Sequence, residues 1–191
     1  CTTMGIQQPD MMSLAKQLSS AYVPISAAVI KGEMYEAMIE PSNQVGVFGH
    51  GYTYSGHPLA CAVALKTLEI YQRDTIFEKA AKVGDYFQSK LRTLADHPLV
   101  GEVRGEGLLA AVEMVANKTT GEAFVGGAIG AYCQQRCQDN GLIVRAVAGS
   151  SIAFCPPLII GEQQVDELIA KLSKALDETL GYVSKEGLLA A

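Results

Sequence analysis

The chain has 191 residues, 49% of them hydrophobic and 18% charged, a balance that can build a substantial core and argues against intrinsic disorder. Its net charge of -5 comes from 20 acidic residues scattered among 15 basic ones, and no basic stripe interleaved with aromatics offers a surface for nucleic acid. The first residues, "CTTMGIQQPD", have neither the basic nor the apolar segment of a secretory leader, and no apolar run reaches the length of a membrane span, so the expected location is cytoplasmic with no membrane partner.

Residues 1–60 are rich in Gly, Ser, Tyr and Pro with short apolar runs, the pattern of loops and strands around a site. Within them "ISAAVI" (25–30) reads as a buried strand. Pro58 then opens a helix through "HPLACAVALKTLEIYQ", whose small apolar residues run around most of the circumference and imply packing on several sides. Thr75 and Glu78 have the spacing of a capping box, and Ile76, Ala80, Val83, Phe87, Leu91 and Leu94 recur at helical steps until Pro98 bars continuation. "LVGEVRGEGLLAAVEMV" reads as two short strands joined at Gly105 to Gly107. A helix over 126–139 stops at Asn140-Gly141, and "LIVRAV" and "SSIAFCPP" follow as strands around "AGS". The last helix, "GEQQVDELIAKLSKALDETLG", carries Val165, Leu168, Ile169, Leu172, Leu176 and Leu180 on one face, with Gly181 as its stop. Residues 1–60 thus read as part of a larger α/β body, and the chain from about 75 as a compact α+β lobe.

Five cysteines, an odd number at scattered positions, do not make a disulfide framework. Cys133 and Cys137 lie one helical turn apart, but no second ligand pair has matching spacing, so thiols in a core are expected and no metal.

Lys16 stands in "MMSLAKQLSSAYVPISAAVI" (11–30), a stretch with no other charge. It reads either as a lysine snorkelling at a helix end or as a Schiff-base amine, which must be partly desolvated and held on a rigid turn. Ser19, Ser20 and Ala21 leave room for a bulky cofactor, and Pro24 stiffens the exit. Thr53, in "GYTYSGHP", is a hydroxyl in a glycine-containing loop ahead of a helix N-terminus, which suits either a phosphate donor or an ordinary turn. Arg145, in "IVRAV", is either a bidentate partner for a carboxylate or a surface-strand arginine. Arg104, between glycines, reads as structural, and His57 as a helix-cap residue.

Four segments, "PDMMSLAKQLSSAYVPISAAVI", "HGYTYSGHPLACAVALKTLEIY", "VGEVRGEGLLAAVEM" and "CPPLIIGEQQVDELI", together resemble the class III, or omega, family of pyridoxal-phosphate-dependent aminotransferases. They run in the family's order from Pro9 to about Leu180, and the amine and omega-amino acid:pyruvate branch is the most similar. The resemblance implies an α/β, fold-type I PLP-dependent transferase. Residues 1–74 would be the C-terminal part of the large PLP-binding domain with its connecting helix, and residues 75–191 the small α+β C-terminal domain. It also implies a longer enzyme, because the family's pyridine-binding aspartate, stacking aromatic and glycine-rich phosphate turn belong upstream of Pro9.

By the same resemblance, Lys16 forms the Schiff base with pyridoxal 5'-phosphate and, once displaced by substrate, shuttles the proton at the substrate carbon. Thr53 would hydrogen-bond the cofactor phosphate across a dimer interface. Arg145 would bind the carboxylate of an amino or keto acid and swing aside for an apolar amine, and Tyr22 would line the substrate pocket. The implied reaction moves an amino group from an amine or omega-amino acid to pyruvate or another keto acid, in a homodimer or higher assembly with its active site at the interface. The competing readings are a class III aminomutase or other PLP reaction on the same fold, and a non-catalytic α+β module that binds a partner through its terminal helix.

Overall fold

A computed structural model describes residues 5, 8–126 and 128–190, and the chain divides between Asp74 and Thr75 into two units. In the first, Met11–Leu14 (β1) and Ala27–Ile30 (β2) pair antiparallel, with Met11 opposite Ile30 and Leu14 opposite Ala27. Asp10 closes the open end of this ribbon. Its carbonyl accepts the Lys31 N–H at 3.0 Å and its carboxylate lies 2.5 Å from Lys31 Nζ. The lysine bonded to that carboxylate holds its pKa below the usual range. The expected burial of "ISAAVI" is not found: Ala27, Ala28 and Val29 are exposed, because a two-stranded ribbon covers neither of its own faces.

A helix over Gly32–Val45 (α1) was not expected from the sequence. Pro41 lies inside it, where proline removes a backbone bond and costs about 3 kcal/mol, and α1 buries no side chain that would mark an apolar stripe. The helix Pro58–Arg73 (α2) starts on its proline as predicted. It is not packed on several sides. Ala64, Thr67 and Tyr71 form a single buried stripe, while Leu59 and Leu65 are exposed.

The second unit opens with Ile76–Arg92 (α3), which continues as a 3-10 turn over Thr93–Asp96. The predicted capping box is not formed: Thr75 has a left-handed backbone, φ 50°, and its side chain makes no cap bond. The hairpin follows as Val100–Glu106 (β3) and Leu109–Asn117 (β4), closed by a two-residue turn with Glu106 opposite Leu109. Glu122–Ala123 (β5), Ala128–Asp139 (α4), Arg145–Val147 (β6), Ser151–Phe154 (β7) and Glu162–Lys185 (α5) complete it. The sheet order is β3-β4-β7-β6, all antiparallel, with β5 added to the end of β4.

The core lies between one face of this sheet and the three helices. Along β4, Ala110, Val112 and Met114 are buried, and Val112 pairs with buried Ile152 of β7. Phe87 of α3 meets Phe154 of β7 edge-on, with centroids 6.3 Å apart. From α5 come Val165, Leu168, Leu172, Leu176 and Val183. Each fully buried aliphatic chain of this kind contributes about 1.5–3 kcal/mol by transfer from water. Gly84 lets α3 approach the β3–β4 turn, since a Cβ there would lie 2.8 Å from the Gly107 Cα. Gln88, one turn further on, donates to the carbonyls of Gly107 and Leu109 at 2.8 and 3.2 Å.

The terminal helix does not stop at Gly181 as the sequence suggests. It runs to Lys185 and ends at Gly187, φ 63°, where the Leu188 amide bonds back to the Val183 carbonyl at 2.9 Å. Burial decides this: Val183 is fully buried and Tyr182 stacks on Tyr132 at 4.2 Å, which together outweigh the roughly 1 kcal/mol cost of a mid-helix glycine.

His97 makes this unit pH-sensitive. Its Nδ1 accepts the Leu99 N–H at 3.2 Å, so the neutral ring carries its proton on Nε2, 3.4 Å from Asp177 Oδ1 but outside hydrogen-bond alignment. Burial holds the His97 pKa below the usual 6.5, outweighing the Asp177 carboxylate, and the Lys118 ammonium pushes the same way as burial. The unfolded chain therefore binds the proton more readily. Stability is complete above pH ~6.5 and is expected to fall as pH drops below it toward the folded value. Urea midpoints measured between about pH 8 and about pH 5 should fall more steeply for the wild type than for His97→Gln; parallel curves would remove His97 as the cause.

Candidate active site

Lys16 begins a short 3-10 turn over Lys16–Leu18 that leaves β1 through Ala15, whose backbone is extended. The turn is built from backbone bonds: Leu18 N–H to Ala15 O at 3.1 Å, Ser19 N–H to Lys16 O at 3.3 Å, and Tyr22 N–H to Ser19 O at 3.1 Å. Three non-glycine residues in this segment have left-handed backbones: Lys16 at φ 51°, Ser20 at 49° and Ala21 at 64°. Each such residue costs about 1–3 kcal/mol and persists only when its surroundings hold it. The holding contacts are visible. Ser19 is buried and its hydroxyl donates to the Val23 carbonyl at 2.7 Å, while Tyr71 of α2 donates to the Gln17 carbonyl at 2.9 Å and has its Oη 2.5 Å from Ser20 Oγ.

Lys16 itself is exposed, and no acidic group pairs with it among the described residues. The desolvation expected of a Schiff-base amine is thus not supplied by these residues. Tyr22, at the far end of the same segment, is 83% exposed.

Thr53 lies in a turn over 53–56 that precedes α2, closed by Ser55 N–H to Tyr52 O at 2.9 Å and His57 N–H to Tyr54 O at 3.2 Å. Its hydroxyl is exposed and unbonded among the described residues. His57 is the residue before the helix, as expected, but its ring stacks on Tyr54 at 5.7 Å and makes no side-chain cap bond. The Lys16 turn is tied to α2 at Tyr71, whereas Thr53 adjoins the Pro58 end, and a helix rises about 20 Å between those two positions. The two thus join α2 at different points, Thr53 through the chain that leads into Pro58 and Lys16 through the bond from Tyr71 to the Gln17 carbonyl.

Arg145 belongs to the second unit, on the edge strand β6. Across the sheet Arg104, Ala111, Ala153 and Arg145 are successive partners in one row, and directly opposed residues point to the same side, here the face away from the helices. The two arginines differ in company. Arg104 Nη1 is 2.6 Å from Glu102 and is also bonded to Glu113, which holds its pKa up; this is the structural role expected of it. Arg145 has no ion-pair partner among the described residues. It borders an open pocket of about 490 Å³ with Phe154, Cys155, Gln164, Glu167 and Lys171, in which Glu167 is paired with Lys171 at 2.6 Å. Gln134 of α4 steadies the strand by accepting the Ala146 N–H at 2.7 Å.

Sequence reasoning missed Gln17 and Tyr71 and took Ser20 only as a small residue leaving room, whereas all three take part in the hydrogen bonds that hold the lysine turn. Tyr71 left one signal, a hydroxyl on the buried stripe of an otherwise small-residue helix, where it must find a partner. As to metals, no group of three or more His, Cys, Asp or Glu is arranged to hold an ion among the described residues. Cys133 and Cys137 are both buried in α4 as free thiols, and the hydrogen bond with Cys133, together with burial, pushes the Cys137 pKa up.

The family model for Aminotransferase class-III matches residues 1–176. The putrescine–pyruvate aminotransferase of Pseudomonas aeruginosa is 47% identical over 176 residues, covering 92% of this chain and 38% of that protein. The chloroplastic gamma aminobutyrate transaminase 3 of Solanum lycopersicum is 44% identical over 179 residues, covering 93% of this chain and 34% of its own length. Among solved structures, the omega transaminase from Pseudomonas jessenii in complex with PMP superposes with a TM-score of 0.89 at 45% identity, over 96% of this chain and 40% of that one. The chain thus spans little more than a third of the length of the curated relatives it matches.

Proposed function

We infer, because this chain belongs to the class-III aminotransferase family, that its residues act within a longer pyridoxal-phosphate enzyme that moves an amino group from an amine or omega-amino acid to pyruvate or another keto acid. The observation that carries this reading is Lys16: an amine with no acidic partner, set on a turn whose strained backbone is held from two sides. Such strain is found disproportionately at functional sites. The donors fit the cofactor, since Lys16 offers an amine for its aldehyde and Thr53 an unbonded hydroxyl for its phosphate.

Pyridoxal phosphate, when bound, supplies the electron sink that makes the substrate carbon acidic. Lys16 would then anchor the cofactor and carry the proton on and off that carbon. Arg145, on an edge strand and without an ion-pair partner among the described residues, would grip a substrate carboxylate through two parallel N–H bonds, and Tyr22 would line the pocket. Residues 1–74 would close the large cofactor-binding domain, and residues 75–191 would be the small domain.

The reading includes a homodimer in which each Thr53 serves the partner's cofactor. The exposed Leu59 and Leu65 suit burial in such an assembly, and the remainder of the enzyme would desolvate Lys16. A cytoplasmic location is part of this proposal; the thiols of Cys61, Cys133, Cys137 and Cys155 are free, as suits a reducing compartment, and no helix is long and apolar enough to cross a membrane among the described residues.

Borohydride reduction of the full-length holoenzyme, followed by peptide mapping, is expected to find the cofactor fixed on Lys16. Finding it on another lysine would overturn this reading.

A further inference from the structure

We propose that Tyr71 is a positioning residue for Lys16: its hydroxyl clamps both ends of the strained turn and so sets the direction in which the lysine amine is presented. The proposal rests on the reading of Lys16 as the cofactor lysine.

A phenol has one proton to give. Tyr71 Oη donates it to the Gln17 carbonyl at 2.9 Å, so the 2.5 Å contact with Ser20 must run the other way, from Ser20 Oγ to Tyr71 Oη. One oxygen thereby holds the residue directly after the lysine and the first residue of the left-handed pair Ser20-Ala21. The Gln17 side-chain Oε1, 3.4 Å from Tyr71 Oη, is a second and longer acceptor for the same phenol proton. Tyr71 is only 9% exposed, so water does not compete freely for these bonds, and a hydrogen bond in such a setting is directional and costly to leave unmade.

The other hydrogen bonds of the turn among the described residues are local. Its own backbone bonds close it locally, and Ser19 reaches only as far as Val23. The hydrogen bonds of Tyr71 connect the turn to a helix, and a helix is a stiffer reference than a loop. A lysine that must alternate between holding the cofactor and moving a proton needs its amine to return to one place, and small misplacement of a reacting group is expensive in rate.

The test uses the full-length holoenzyme and its apo form with Tyr71→Phe, which keeps the ring and removes the clamp. Capture of added pyridoxal phosphate by the apoenzyme, followed by the cofactor's visible absorbance, is expected to slow about ten-fold. The pH midpoint of that absorbance in the holoenzyme should move by about half a unit. In amine transfer kcat should fall about ten-fold, with KM for the amine within about two-fold. Ser20→Ala, which removes one arm of the clamp at the edge of the turn, should move the same readouts in the same direction by less, and it serves if Tyr71→Phe folds poorly.

If capture rate and pH midpoint of both variants superimpose on the wild type while the cofactor is still fixed on Lys16, Tyr71 is only a packing residue and this proposal falls alone. Fixation of the cofactor on another lysine in the wild type overturns the proposal together with the reading beneath it.

Discussion

Lys16→Ala is expected to reduce amine transfer by at least about a thousand-fold while leaving the fold intact. The magnitude follows from the loss of two roles in one substitution. The side chain is the proposed covalent anchor of the cofactor, and it is the proposed acid and base at the substrate carbon, a contribution worth about 10²–10⁴-fold in positioned systems. The fold should survive because the amine touches no acidic partner and the side chain is exposed, so its removal leaves no cavity and no orphaned charge. Relief of the left-handed strain is not expected, since alanine carries the same Cβ. The measurements are the visible absorbance of the bound cofactor, which should vanish, and the circular dichroism, which should not change. A Lys16→Ala enzyme that still transaminates at more than about a tenth of the wild-type rate would return Lys16 to the role of a surface lysine.

Arg145→Ala is expected to separate two classes of substrate. For an amine donor that carries a carboxylate, and for the keto acid, kcat/KM should fall about ten- to a hundred-fold, since a hydrogen bond to a charged group is worth about 1.5–3 kcal/mol and each 1.4 kcal/mol is a factor of ten. For an apolar amine the first half-reaction should be nearly unchanged. The basis is the contrast within one row of the sheet: Arg104 is held by Glu102 and Glu113, whereas Arg145 has no ion-pair partner among the described residues and borders a pocket whose one acid, Glu167, is paired with Lys171. Stopped-flow half-reactions with the two donor classes check it. Equal losses for both would mean that Arg145 acts through the stability of β6 and not through a carboxylate.

Several elements of the fold are legible from one stretch of chain at a time because their causes are local. The period of Ile76, Ala80, Phe87 and Leu91 marks α3, the glycines at 105 and 107 mark the hairpin, Pro58 marks the first turn of α2, and Asn140-Gly141 marks the end of α4. Motif residues are local in the same sense: Lys16, Thr53 and Arg145 stand out by type and neighbourhood, and the resemblance to the family is what implies one chemistry for them.

Where the reading departs from the structure, a non-local term has won. Gly181 lies inside α5 because Tyr182 and Val183 find partners on the core, and no local rule contains those partners. Helix α1 escapes notice because its proline is a local stop signal and no buried stripe opposes it. The apolar faces of β2 and α2 read as buried, yet exposure is a property of what lies across from a residue and not of the residue itself.

The lysine shows the division most clearly. By itself, the sequence determined that residue 16 is an amine among small and apolar neighbours, in a family's motif. Only the tertiary structure decided that its turn is left-handed at Lys16, Ser20 and Ala21 and that Tyr71, 55 positions on, fastens it. Backbone strain of that size is stable only when a distant group over-determines it, and distance along the chain is what a local pattern does not record.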